Sequence, residues 1–146
     1  MIGVVRGRAF GFGCAIAAVC DITLAADTAR FQVPEMAHNI MPTMVMSALI
    51  DRVPRKALTY LVWSAAPIPA QRALIWGLVS DVVADDALEA ALDRLLATMQ
   101  KAPKPGVRGV KEFARVAFDL PVPGAVDFAR NLHATLNTSP EMRART

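Results

Sequence analysis

Gly11-Phe12-Gly13 separates a short extended run, Ile2 to Arg6, from an apolar run that continues from Cys14 through Val19. Paired glycines at that place imply a turn, and the apolar body after it, Ala15 to Val19, predicts a short helix. The N-terminus of such a helix carries unbonded amides and a partial positive charge, so it is suited to an anionic oxygen. Extended character returns over Asp21 to Ala26 and again over Ala29 to Phe31. A strand, a glycine turn, a short helix and another strand in quick succession confine the opening of the chain to an α/β layer.

The next landmark is Phe31-Gln32-Val33-Pro34-Glu35. Glu35 is the one acid between Asp27 and Asp51, and Pro34 keeps Val33 out of helical geometry and fixes the approach to it. A backbone amide donor and one desolvated carboxylate are the least equipment needed to move a proton beside a polarised carbonyl. His38, three residues on, is within reach of Glu35 if that segment coils, whereas His133 stands apart from other ligating groups. With two histidines and no clustered carboxylates, no metal site is expected.

Beyond Pro42 the period becomes helical: Thr43 to Arg52, Arg55 to Trp63 and Ala70 to Trp76, with Gly77 at a C-cap position and Ser80 to Val83 extended. Asp86 and Glu89 have capping-box spacing ahead of an apolar stripe made by Leu88, Ala91, Leu92, Leu95 and Met99. Pro103 and Pro105 interrupt the chain before two further amphipathic helices. The expected division is a core over residues 1–83 and a helical region over 84–146. Both ends read as cut: a strand opens the chain without a partner before it, and Ser139-Pro140-Glu141 starts a helix close to the last residue.

Apolar residues make up 54% of the 146. That share does not come from a membrane span. Ala9 to Cys20 is only twelve residues long, and the stretch from Gln32 to Ile50 contains Glu35, Pro34 and Pro42, where spanning takes about 20 apolar residues. Surface awaiting a partner accounts for it better. Arg6 and Arg8 lie inside the first apolar stretch, which argues against a secretory signal. Cys14 and Cys20 lack metal or redox spacing and read as buried thiols in a reducing, cytoplasmic setting.

Net charge is +3, divided between residues 1–100 (eight basic, nine acidic) and residues 101–146 (eight basic, four acidic). Neither a dense basic stripe nor aromatic interleaving marks a nucleic-acid surface. Ile16 stands where a dinucleotide fingerprint needs its third small residue, and the absence of a Gly-Lys-Ser/Thr after it removes the phosphate loop.

Taken together, Arg6 to Ala17, Cys20 to Ala26 and Ala29 to Glu35 resemble the enoyl-CoA hydratase/isomerase (crotonase) family. Ile68 to Ala73 and Gly77 to Val83 are similar to that family's later signature. The resemblance covers nearly the whole chain, as the C-terminal portion of the family's domain. It implies a spiral of ββα units followed by helices used for assembly as a trimer or dimer of trimers. It also implies an acyl-CoA thioester as substrate, with no separate cofactor.

By the resemblance, the thioester oxygen is held by two backbone amides, one at Phe12, with the free amide of Gly13 beside it, and the other from the family's amino-terminal portion. Ala15, Pro34 and His38 belong to the substrate pocket, and the family's two carboxylates map to Ala15 and Glu35. Phe12 stands where glycine is usual, and Asn39 to Met44 where glycine-rich sequence is usual. With alanine at the first carboxylate position, only Glu35 is left as a base. That favours a double-bond shift over hydration, with a hydratase and a non-catalytic assembly module as the other readings. Neither nucleic acid nor membrane is an expected partner.

Overall fold

The computed structural model describes residues 1–144, which divide into two compact units, Met1–Asp93 and one beginning at Arg94. In the first unit the chain winds between two small sheets. Strand β1 (Ile2–Val5) enters one sheet and β2 (Arg8–Phe10) the other, before helix α1 (Phe12–Val19). The next turn repeats this order, with β3 (Ile22–Ala26) in the first sheet and β4 (Arg30–Gln32) in the second. After α2 (Thr43–Leu49) and α3 (Arg55–Ser64), β5 (Ile68–Pro69) closes the second sheet. Helix α4 (Ala70–Ile75) then leads to β6 (Asp81–Val83), which closes the first.

The sheets run β1-β3-β6 and β2-β4-β5. All pairings are parallel except β4 with β5. Ile2 stands opposite Ile22, Phe10 opposite Gln32 and Leu24 opposite Asp81. This is the spiral α/β architecture expected from the sequence, and β3, in the middle of its sheet, is the strand buried along most of its length.

Between the layers lie Phe31, Val33, Leu49, Leu61 and Ile68 with the inward alanines of α1, all fully or nearly fully buried. Alanine at positions 15, 17 and 18 lets α1 approach β2 and α2 closely. Thr23 is the polar residue inside this core, and it is fully used. Its hydroxyl donates to the Ala17 carbonyl at 2.7 Å, its N–H donates to Ser80 Oγ at 3.0 Å, and its carbonyl accepts the Ser80 N–H at 2.8 Å. One residue therefore ties α1, β3 and the approach to β6 together, with no unpaired donor left inside.

Gly77 ends α4 as expected, one residue past the C-cap Trp76 and with φ +77°. Its N–H donates to the Leu74 carbonyl, and the Leu78 N–H reaches back to Ala73, the paired bonds of a Schellman end. The expected capping box is replaced. Asp85 to Ala87 form a 3-10 turn, and Glu89 instead faces Arg6 across 3.6 Å while Asp85 meets the same guanidinium at 3.2 Å. Helix α5 (Leu88–Lys101) buries Leu88 completely. These ties hold the first turns of α5 to the core, and the boundary between the two compact units falls within the helix, after Asp93.

The second unit comprises the rest of α5 with α6 (Lys104–Val116), α7 (Val122–Asn137) and α8 (Pro140–Arg143). Gly109 permits close packing of α6 on Leu136 of α7, and Phe113 stacks on Phe128 at a centroid distance of 6.1 Å. No helix among the described residues is long and apolar enough to cross a membrane.

Candidate active site

Two adjacent parallel strands leave the second sheet at the same end. β2 stops at Phe10 and β4 at Gln32, its register partner, and the Gly11 N–H donates to the Gln32 carbonyl at 2.8 Å. The segments that emerge from the two strands must then meet, and in parallel α/β sheets this carboxyl edge is where ligands bind. From β2 the chain passes through Gly11 into the start of α1. From β4 it passes through Val33 and Pro34 to Glu35, the first residue of a 3-10 turn ending at His38.

Glu35 reaches back across this junction to Gly11. A β-carbon built on Gly11 would lie only 2.7 Å from Glu35 Oε1, so the carboxylate rests directly on the helix N-cap. Its other oxygen, Oε2, is buried and takes no hydrogen bond from any described residue. Buried acceptors are normally satisfied, and a bare one costs free energy to maintain. A buried, unpartnered carboxylate oxygen beside a helix N-terminus is consistent with a group kept ready to take a proton.

The helix supplies the complementary half. Cys14 and Ala15 are the first residues of α1 whose N–H groups are bonded, both to the Gly11 carbonyl, at 3.0 and 3.2 Å. The amides of Phe12 and Gly13 precede them and have no such partner, as the first turn of a helix dictates. The phenyl ring of Phe12 is 64% exposed, so it stands off the core. Open space surrounds the position of a β-carbon at Gly13.

The other expected pocket residues differ in burial. Ala15 is only 2% exposed and packs in the core cluster. Pro34 is half-buried at the N-cap of the 3-10 turn, and His38 is exposed at its far end, with no hydrogen bond to Glu35 Oε2. Two contributors were visible in the sequence but not assigned to the site. Gly11 makes the room that Glu35 occupies. Cys14, fully buried, feels the carboxylate: burial first, and then the Glu35 charge, push its thiol up to about 12, with a hydrogen bond from the Gln32 backbone pulling partly the other way. The only forewarning of either was a glycine directly ahead of a helix and a cysteine one turn inside it.

Cys14 gives a direct test of this crowding. With an ordinary value of 9.0 and a folded value near 12, the thiol stays protonated in the native state well into alkaline solution. Iodoacetamide at mildly alkaline pH is expected to leave the Cys14 peptide unmodified in native protein and to label it fully once unfolded, as read by mass spectrometry. The linked stability is intact below pH 9 and lost as pH rises toward 12, because the unfolded chain releases this proton first.

No group of three or more His, Cys, Asp or Glu among the described residues is arranged to hold a metal ion. The family model for enoyl-CoA hydratase/isomerase matches residues 1–144. A probable enoyl-CoA hydratase of Mycobacterium leprae is 33% identical over 143 residues, covering 97% of this chain and 56% of that protein. The 2,3-dehydroadipyl-CoA hydratase of Escherichia coli K12 is 33% identical over 138 residues, covering 93% of this chain and 54% of the relative.

Among solved structures, an enoyl-CoA hydratase of Mycobacterium smegmatis superimposes with a TM-score of 0.92 at 26% identity, over 97% of this chain and 55% of that one. An α/β spiral with this sequence signature defines one class, and the chain belongs to the enoyl-CoA hydratase/isomerase family. It spans about half the length of the curated relatives it matches.

Proposed function

We propose that this polypeptide processes an enoyl-CoA thioester by shifting its double bond, with Glu35 as the only base. The reading is carried by the buried, unpartnered Oε2 of Glu35 beside the amides that open α1, with a methyl group at position 15 where a second carboxylate would be needed for hydration. Glu35 takes a proton from the carbon next to the thioester carbonyl of a 3-enoyl-CoA. The released electron pair moves toward the carbonyl oxygen, where the Phe12 and Gly13 amides stabilise the enolate. The same carboxyl group then returns the proton to the far carbon of the former double bond, leaving the conjugated 2-enoyl thioester. No water enters or leaves.

After Glu35 the chain exposes Met36, Ile40, Met41 and Met44, an apolar lip of the kind an acyl chain would contact. Assembly as a trimer or dimer of trimers in the cytoplasm completes the proposal, with the exposed Val110, Phe118 and Val122 of the helical unit among the surfaces to be covered. Hydration is the second reading, and the names of the two curated relatives favour it. It needs a group other than residue 15 to orient water. The two are separated by supplying the protein with a 3-enoyl-CoA and, separately, with crotonyl-CoA. Conjugation of the first without hydration of the second is expected. Hydration of crotonyl-CoA at a comparable rate would overturn the isomerase assignment.

A further inference from the structure

Helix α3 carries a row of basic and aromatic side chains that the chemistry at Glu35 does not use. Lys56, Tyr60 and Trp63 stand at positions i, i+4 and i+7, so they lie along one face of the helix. Tyr60 is 45% exposed and Trp63 78%, although tryptophan is on average among the better covered side chains of a fold. Together with Arg55, Thr59 and Ser64 they line an open groove of about 480 Å³. No residue of the junction between Glu35 and Gly11 is among its walls.

Positive charge accompanies these rings. The Arg72 guanidinium of α4 lies 5.8 Å from the Tyr60 ring and 5.7 Å from that of Trp76, and the two rings meet edge to face at 5.8 Å. Arg72 therefore braces Tyr60 in place and adds a third cation to Arg55 and Lys56. Among the described residues none of these three cations takes part in an ion pair, and no acid lines the groove. The Ala57 and Leu58 amides bond to the Pro54 carbonyl, and those of Arg55 and Lys56 come before them at the positive end of the helix. Free cations at one end and open rings at the other suit a ligand that joins an anion to a planar ring. By helical rise Lys56 stands about 6 Å from Tyr60 and about 10 Å from Trp63, a span comparable with that from phosphate to base in a nucleotide. An isologous second copy would set unpaired cations against one another.

We infer that the α3 groove is a nucleoside-phosphate site, its phosphate held by Arg55 and Lys56 and its base stacked on Trp63 beside Tyr60. The site is separate from the one that holds the thioester. The inference goes beyond the proposed chemistry and does not depend on it: Glu35→Gln protein should bind the nucleotide as well as wild type.

The probe is AMP, titrated into the full chain by calorimetry at low salt, with quenching of tryptophan fluorescence followed in parallel. One AMP per chain is expected, with a Kd of about 1 mM or tighter, and adenosine or inorganic phosphate alone should bind about tenfold more weakly. Trp63→Ala and Lys56→Ala should each weaken AMP about tenfold, and Trp63→Phe, which keeps a ring to stack on, should retain most of the affinity. Both side chains are exposed, so circular dichroism and melting temperature should not move. Absence of AMP binding, binding that Trp63→Ala leaves unaltered, or phosphate bound as tightly as AMP would overturn the inference. Displacement of AMP by crotonyl-CoA, one for one, would also overturn it, since the groove would then belong to the thioester's own site. So would sedimentation of the chain with anionic phospholipid vesicles, or self-association, that Trp63→Ala abolishes and AMP does not compete away, since a lipid surface or a second copy would then be the occupant.

Discussion

Replacing Glu35 with glutamine is expected to slow the double-bond shift about 10²- to 10⁴-fold in kcat, the usual contribution of a positioned acid–base group, with KM little altered. Glutamine preserves the length and shape of the side chain and so its packing against Gly11. It cannot accept the α-proton. In stability the variant should equal or exceed the parent, because a carboxylate oxygen that is buried and unbonded contributes nothing to the fold and costs free energy to desolvate. This opposition of effects separates a base from a structural acid, whose replacement would lower both quantities. Conversion of a 3-enoyl-CoA is followed through the ultraviolet absorbance of the conjugated product, and thermal unfolding is measured on the same samples. An unchanged turnover number removes Glu35 from the chemistry.

Much of the fold could be read along the chain because its signals are local. The glycine turn ahead of Cys14, the extended runs around Ile22 and Phe31, and the helical periods after Pro42 and Pro54 all lie where residue type and spacing imply. The exceptions share a cause. Strand β5 is two residues long and contains Pro69, so it has no period of its own and exists only through antiparallel pairing with β4. The capping box at Asp86 and Glu89 gives way to Arg6, some eighty residues earlier in the chain, and no local rule anticipates that ion pair.

The site obeys the same logic. Glu35 and the glycine turn were each visible as an isolated acid and a helix start. Their contact was not, because it results from the β2–β4 register, which brings positions 11 and 35 to one sheet edge. Ala15 shows the converse. Motif correspondence places it beside the pocket, whereas its burial in the core cluster depends on how closely α1 settles on its neighbours, which its local sequence does not show.

Gly11→Ala is expected to reduce turnover on the order of 10²-fold, the cost of displacing a reacting group by about an ångström, and to destabilise the protein by about 1–3 kcal/mol. Two physical demands meet at this residue. Its backbone has φ +53° and ψ −119°, a conformation that an L side chain resists because the β-carbon crowds the peptide. The second demand is space. The new methyl would sit 2.7 Å from Glu35 Oε1, inside van der Waals contact, so either the carboxylate or the helix start must shift. Relief by rotating Glu35 away preserves the helix and sacrifices the base. Relief by moving Gly11 weakens its N–H bond to the Gln32 carbonyl, which joins the two strand ends. Both routes lower kcat, and the strain lowers the melting temperature by roughly 4–8 °C for each kcal/mol in a unit of this size. A Gly11→Ala protein that keeps full turnover would show that the contact between residues 11 and 35 has no part in setting the base.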